Sequence, residues 1–225
     1  MAKETLVLWD IDGTLIDTQG AGVEPFQNSI EKYLEIDIEF NRRALSGKSD
    51  FEIVELLTSL SSSRSENALY FETILQDYTI GLKDNLSRES VRVLGDSKTT
   101  IKILNDTLIF RNGILSGNCK EGGETKLISG NIYELFHKDL FFFSTFSLNT
   151  RVKILESVLK VHPKVLLVGD TPNDVEAAKQ FGIPIISVAT GVWSYDQLEE
   201  INKGNVLKME WKSQDFTQLL YKIIN

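Results

Sequence analysis

An apolar strand that ends in two acids is the feature that most constrains this chain. Residues 6–17 read "LVLWDIDGTLID", so Asp10 and Asp12 lie two positions apart at the end of the strand. Side chains at positions i and i+2 of a strand point to the same face, where two carboxylates repel each other. We therefore expect a positive group close to this pair.

Later in the chain, apolar strands alternate with helices. "VHPKVLLVGD" predicts a strand ending at Gly169 and Asp170, "TPNDVEAAKQFG" predicts a helix ended by Gly182, and "IPIISVATG" predicts another strand. The apolar spacing of "TRVKILESVLKV" predicts a further helix, with Asn149 as its expected cap. Such alternation predicts an α/β fold with a Rossmann-like, doubly wound parallel sheet.

The segment after the first strand breaks this alternation. "VEPFQNSIEKYLEI", "DFEIVELLTSL" and "ALYFETILQDYTIGLKDNL" all have helical periodicity, and no strand pattern separates them. Alternation resumes near residue 97 with "KTTIKILNDTLI" and "NGILSGN". We predict a core formed by residues 1–17 and 96–225, with residues 18–95 inserted as a helical domain.

Polar residues follow three predicted strands, where open parallel sheets bind their ligands. They are Asp10 and Asp12; Ser116, Gly117 and Asn118; and Asp170 with Asp174. Four converging carboxylates need a counter-charge, and Mg²⁺ is a hard cation that takes oxygen ligands. The positive group near the acid pair is therefore predicted to be a magnesium ion.

These residue types favour phosphoryl transfer. Asp10 is the candidate nucleophile and Asp12 the candidate general acid and base, while Gly13 allows a sharp turn and Thr14 holds the loop. Ser116, the amides of Gly117 and Asn118 and one basic residue near position 150 can donate to phosphoryl oxygens, and Thr14 is grouped with these phosphate-binding candidates.

Four motifs follow one another along the chain: "DIDGTLID", "LSGN", a basic residue and "GDTPNDVEAA". In this order they resemble the haloacid dehalogenase superfamily, in particular its phosphoglycolate phosphatase and β-phosphoglucomutase types. The resemblance covers residues 5 to about 192. It implies that Asp10 becomes phosphorylated and that Asp12 transfers protons. It also implies that Mg²⁺ contacts the Asp10 carboxylate, the Asp12 carbonyl and Asp170, with Asp174 supporting the site, and that residues 18–95 form an α-helical cap.

The superfamily's third motif is less clear, because its usual lysine is absent from the expected place. Arg151, at the start of a predicted helix, is the best substitute, with Lys153 and Lys126 as alternatives. "SGKSD" in the inserted segment is similar to a loop that often reaches the active site in relatives. Lys48 is therefore a candidate contact to substrate.

Composition limits the possible partners. With 24 Lys and Arg against 32 Asp and Glu, the net charge is −8, which argues against nucleic acid or an anionic membrane as partner. The single cysteine, Cys119, and the lack of a long apolar stretch predict a cytoplasmic location. A Mg²⁺-dependent phosphatase for a small phosphorylated metabolite is the leading hypothesis; a phosphomutase or a non-catalytic phosphate-responsive module is the alternative, and the sequence leaves the oligomeric state open.

Overall fold

The computed structural model describes residues 4–34, 36, 45–60, 68–87 and 91–224. Within these ranges, one sheet contains six strands: β1 (Thr5–Trp9), β4 (Phe110–Cys119), β5 (Phe141–Ser144), β6 (Val165–Gly169), β7 (Ile185–Val188) and β8 (Val206–Leu207). Their order is β5-β4-β1-β6-β7-β8, and every neighbouring pair is parallel. From β1 the chain continues to β4 and β5 on one side, and it then crosses to β6 on the other side of β1. The switch in strand order therefore lies beside β1.

Helices cover both faces of the sheet. They are α4 (Ser97–Asn105), α5 (Lys120–Ser129), α6 (Arg151–Leu159), α7 (Pro172–Phe181), α8 (Tyr195–Ile201) and α9 (Ser213–Ile224). Val7 and Trp9 pack against α4, α5 and α9 on one face, whereas Leu6 and Leu8 pack against α6 and α7 on the other. This alternation within β1 confirms the predicted α/β, Rossmann-like fold class.

Further helices lie between β1 and the rest of the sheet in sequence: α1 (Val23–Leu34), α2 (Asp50–Leu60) and α3 (Ala68–Leu86). We call them the helical unit. Their apolar side chains form a separate cluster around Ile30, Val54 and Ile74. An antiparallel ribbon of β2 (Ile16–Asp17) and β3 (Arg92–Val93) joins the helical unit to the sheet. No helix in the described part of the chain is long and apolar enough to cross a membrane.

One predicted helix cap is wrong. Thr150, not Asn149, caps α6, because its side-chain oxygen accepts from the Lys153 amide. The Asn149 side chain instead donates to Glu55 Oε2 at 2.6 Å and accepts from Lys153 Nζ at 2.8 Å. Asn149 therefore links the helical unit to the sheet domain.

Candidate active site

The end of β1 is anchored firmly. Trp9 is fully buried, stacks on Phe216 with ring centroids 5.0 Å apart, and donates from Nε1 to Asn112 Oδ1 at 2.8 Å. The Asp10 amide then donates to the Val168 carbonyl at 2.9 Å. These contacts fix the position at which the Asp10 side chain enters the site.

Among the described residues, Asp10, Asp170 and Asp174 form a group that could hold a metal ion. Each offers one carboxylate oxygen, and these oxygens lie within 4.8 Å of one another. Thr14 Oγ1 donates to Asp170 at 3.0 Å, and Thr171 and Asp174 form a capping box at the start of α7. Asp170 and Asp174 are therefore each held by a neighbouring threonine as well as by burial.

Two glycines leave the room that Asp170 occupies. Gly13 has φ +77°, and a Cβ there would lie 2.4 Å from Asp170 Oδ2. A Cβ at Gly191 would lie 1.7 Å from the same oxygen. Because neither distance is possible for a real side chain, both loops depend on glycine to approach Asp170.

Arg151 is a buried cation that contacts two of these acids. Its guanidinium lies 3.1 Å from Asp10 Oδ2 and 2.9 Å from Asp174 Oδ1, and all three side chains are at least 94% buried. Burial raises the pKa of Asp10 to about 6, although the charge of Arg151 opposes the rise. Burial, and then the charges of Asp10 and Asp174, raise the pKa of Asp170. An acid cluster whose carboxylates resist ionisation fits a site that takes up a further cation.

Asp12 faces a different set of partners. Lys126 Nζ lies 2.7 Å from Asp12 Oδ2, and Asn118 Nδ2 donates to the same oxygen at 2.8 Å. The Asp12 side chain is 42% exposed, whereas Lys126 is buried. Asp10 and Asp12, two positions apart in the motif, thus have separate basic partners, as the contacts of Asp10 with Arg151 and of Asp12 with Lys126 show.

The predicted phosphate-binding loop lies at the end of β4. Ser116 is fully buried, and its Oγ accepts from Asn118 Nδ2 at 2.8 Å. Ser144 Oγ donates to the Gly117 carbonyl at 2.8 Å and so holds the loop from the neighbouring strand. Ser116, Gly117 and Asn118 line one cavity of about 520 Å³ together with Asp10, Asp12 and Arg151.

The loop that precedes α2 closes one side of this cavity. A Cβ on Gly117 would lie 2.9 Å from the Ser49 Cα, and one on Gly47 would lie 2.9 Å from Thr171 Oγ1. Lys48, between them, lines the cavity and pairs with Glu52 at 2.7 Å. Contact of Lys48 with substrate stays a prediction.

The structure distinguishes the three basic residues considered for the third motif. Arg151 contacts Asp10, Lys126 contacts Asp12, and Lys153 reaches back to Asn149. Thr14 is fully buried and donates to Asp170, so it holds that acid, and its contact with phosphate stays a prediction.

Sequence reasoning missed other residues around the cavity. Asp50 accepts from the Cys119 amide at 2.8 Å, and Thr190 Oγ1 donates to the Gly13 carbonyl. Both contacts join segments that are far apart in sequence. The glycine that ends "IPIISVATG", Gly191, was a usable signal, since it follows a strand at the same sheet edge.

The family model described as haloacid dehalogenase-like hydrolase matches residues 7–188. The chain belongs to the haloacid dehalogenase-like hydrolases. This confirms the family predicted from the motifs, and the matched residues include the acid cluster, the phosphate-loop candidates and both basic partners. No curated protein sequence matches the chain significantly.

Solved structures share the fold of this haloacid dehalogenase-like chain. A predicted phosphatase from Clostridium acetobutylicum has a TM-score of 0.71 at 16% identity, covering 98% of this chain and 100% of that one. CbbY from Rhodobacter sphaeroides, in complex with phosphate, has a TM-score of 0.69 at 16% identity, covering 91% and 93%. A hydrolase from Pseudomonas syringae has a TM-score of 0.67 at 15% identity, covering 99% and 100%.

Proposed function

We propose that this protein is a Mg²⁺-dependent phosphatase that hydrolyses a small phosphorylated metabolite through an aspartyl-phosphate on Asp10. The observation that carries the proposal is the separation of roles within the motif. Asp10 is buried, contacts Arg151 and lies beside Asp170 and Asp174. Asp12 lines the same cavity but contacts Lys126 and Asn118 instead. A nucleophile and a proton-transfer group need such different surroundings.

The donor set suits magnesium. Asp10, Asp170 and Asp174 supply only oxygen ligands, and Arg151 balances part of their charge. The Asp10 and Asp170 carboxylates and the Asp12 backbone carbonyl would hold the ion, with Asp174 behind them. Bound Mg²⁺ would reduce the repulsion between the Asp10 carboxylate and the phosphoryl group.

In the first step, a carboxylate oxygen of Asp10 attacks phosphorus while the bond to the leaving oxygen breaks. Asp12 donates a proton to that leaving oxygen, which departs as an alcohol. Ser116, the amides of Gly117 and Asn118, and Arg151 donate to the phosphoryl oxygens as charge spreads over them.

In the second step, water attacks the phosphorus of the aspartyl-phosphate. Asp12 takes a proton from this water, and the bond between phosphorus and the Asp10 oxygen breaks. Inorganic phosphate leaves, and Asp10 returns as a carboxylate. Asp12 thus passes through both protonation states once in each cycle.

We also propose that residues 18–95 act as a cap. The support is the packing of Gly47 and Ser49 against the sheet domain and the ribbon of β2 and β3, which offers a hinge. A cap in contact with the phosphate loop limits the space for the leaving group, which favours small substrates. Lys48 lines the cavity, which supports a contact between its side chain and the substrate.

We infer a cytoplasmic location from cysteine usage, because Cys119 is the chain's single cysteine and is buried as a free thiol. The net charge of −8 makes a small anionic metabolite, bound by local cations, a better partner than nucleic acid.

The test is phosphate release from an aryl phosphate, with Mg²⁺ and with EDTA. Wild-type protein should turn over only with Mg²⁺, and Asp10→Asn should abolish turnover. Mass spectrometry of acid-quenched protein should locate one phosphoryl group on Asp10.

The matched control is Asp139→Asn, which changes an exposed acid whose side chain is 71% accessible. It should keep wild-type turnover. Turnover by Asp10→Asn, or equal rates in Mg²⁺ and EDTA, would contradict the proposed mechanism.

A further inference from the structure

Lys126 is a buried lysine whose partners lie in the candidate active site. It belongs to α5, a helix that sequence analysis did not predict, and it is 7% exposed. Its Nζ lies 2.7 Å from Asp12 Oδ2 and 2.5 Å from Asn118 Oδ1. A buried ammonium is costly unless it is paired and hydrogen-bonded, so these two contacts determine where the side chain can lie.

Lys126, Asp12 and Asn118 close a ring of hydrogen bonds. Asn118 accepts from Lys126 through Oδ1 and donates through Nδ2 to Asp12 Oδ2, which also accepts from Lys126. Both donors therefore reach the same oxygen of the Asp12 carboxylate. These contacts restrict the orientation of the carboxylate, and the hydrogen bonds of the described residues leave its Oδ1 towards the cavity that Asp12 lines.

We propose that Lys126 is a positioning residue that acts through Asp12, orienting its carboxylate so that Oδ1 faces the leaving oxygen of the substrate. This inference rests on the proposed phosphatase function. It assigns Lys126 and Arg151, both buried, to different acids, since Arg151 contacts Asp10 and Asp174. Lys126 is therefore not a substitute for Arg151 but serves the proton-transfer residue.

The charges around Lys126 are consistent with a permanent cation. Burial by itself would lower the pKa of Lys126, but the neighbouring Asp12, Tyr78 and Asp50 outweigh burial and raise it. Tyr78 and Asp50 come from the helical unit, so the position of that unit also bears on Lys126.

The test compares Lys126→Met with Lys120→Met, which changes an exposed lysine of the same helix. The readout is kcat/KM for an aryl phosphate and for an alkyl phosphate. An aryl oxide departs without help, whereas an alkoxide needs a proton from Asp12. Because correctly placed general acids contribute about 10²–10⁴-fold, we expect Lys126→Met to lose roughly 10- to 100-fold with the alkyl ester and a few-fold with the aryl ester. Lys120→Met should match wild type.

A double-variant cycle separates positioning from general damage to the site. In the Asp12→Asn background, Lys126→Met should cause less than about a 2-fold further loss, because residues that act as a unit are not additive. Lys126→Arg, which retains a cation, should recover part of the alkyl phosphate activity. If Lys126→Met fails to fold, Lys126→Arg replaces it in both comparisons, and a loss that depends on the leaving group is still expected.

Equal losses for the two esters would overturn the positioning role, as would a full further loss in the Asp12→Asn background. Wild-type kinetics for Lys126→Met would also overturn it. If wild-type protein itself shows no phosphate release, the proposed function fails instead, so the two failures are distinguishable.

Discussion

Replacing Arg151 by methionine tests whether the buried charges of the site balance as described. Arg151 contacts Asp10 at 3.1 Å and Asp174 at 2.9 Å, and water reaches none of the three side chains appreciably. Methionine fills most of the same volume without charge. The variant therefore leaves two buried carboxylates without their cation.

The structure allows the size of the effect to be worked out. Removing one partner of a buried ion pair costs about 3–5 kcal/mol. For a domain of this size, 1 kcal/mol corresponds to about 2–4 °C in Tm, so the midpoint should fall by about 6–20 °C. The matched control is Arg111→Met. The guanidinium of Arg111 lies 4.0 Å from the Glu4 carboxylate and 3.8 Å from the Asp139 carboxylate, both at the surface. Exposed pairs of this kind contribute about 0–1 kcal/mol.

The effect should depend on pH in a defined direction. The pKa of Asp10 in the folded protein is raised to about 6 by burial, so this group contributes stability at low pH and loses it as pH rises through 6. Removing Arg151 takes away the charge that opposes this rise. Arg151→Met should therefore be closest to wild type near pH 5 and furthest from it near pH 7.5.

The measurement is urea unfolding of wild type, Arg151→Met and Arg111→Met in metal-free buffer at both pH values. At pH 7.5, a free energy of unfolding for Arg151→Met within about 1 kcal/mol of the Arg111→Met value would refute the argument. The buried pair would then contribute no more than an exposed pair does. A penalty that grows towards pH 5 would refute the assignment to Asp10.

Further predictions concern the acid cluster and the phosphate loop. Mg²⁺ at 100 times its Kd should stabilise the protein by about 2.7 kcal/mol, a Tm rise of about 5–11 °C that Asp170→Asn abolishes and Asp139→Asn retains. An equal shift in Asp170→Asn would contradict the metal assignment. Gly191→Ala puts a methyl group where Asp170 Oδ2 lies, so it should lower Mg²⁺ affinity about 10- to 100-fold, measured by thermal-shift titration. Unchanged affinity would contradict the close packing of Gly191 on Asp170. Ser116→Ala removes the hydroxyl that we propose donates to the phosphoryl group, so kcat should fall about 10²-fold in the aryl phosphate assay. A change in KM alone would indicate ground-state binding only.

The sequence was sufficient for the long elements of the fold. Helices α2 and α3 begin and end at the residues that their apolar spacing predicted, and the strand before Asp170 is where the β-branched run placed it. These segments are long or strongly apolar, so their periodicity is unambiguous. The ribbon of β2 and β3, with two residues in each strand, is too short to show any period.

The sequence was less informative about helix α5. "KEGGETKLIS" contains two adjacent glycines and lacks a clear apolar stripe, so propensity argues against a helix there. Tertiary packing explains the exception. A Cβ on Gly123 would lie 2.3 Å from the Phe143 ring, so glycine permits close approach of α5 to β5. The contact between Lys126 and Asp12 depends on this packing and could not be predicted from spacing alone.

The sequence predicted a magnesium ion as the positive group near Asp10 and Asp12, and the structure adds a basic side chain for each acid. β1 ends at Trp9, and the chain turns at Gly13, so the two side chains do not continue a regular strand. Asp10 turns inward to Arg151, and Asp12 turns to Lys126. Burial raises the pKa of Asp10 most, and the charge of Asp12 raises it less than the charge of Asp174 does. In the proposed mechanism, these separate partners would let Asp10 act as the nucleophile while Asp12 gains and loses a proton.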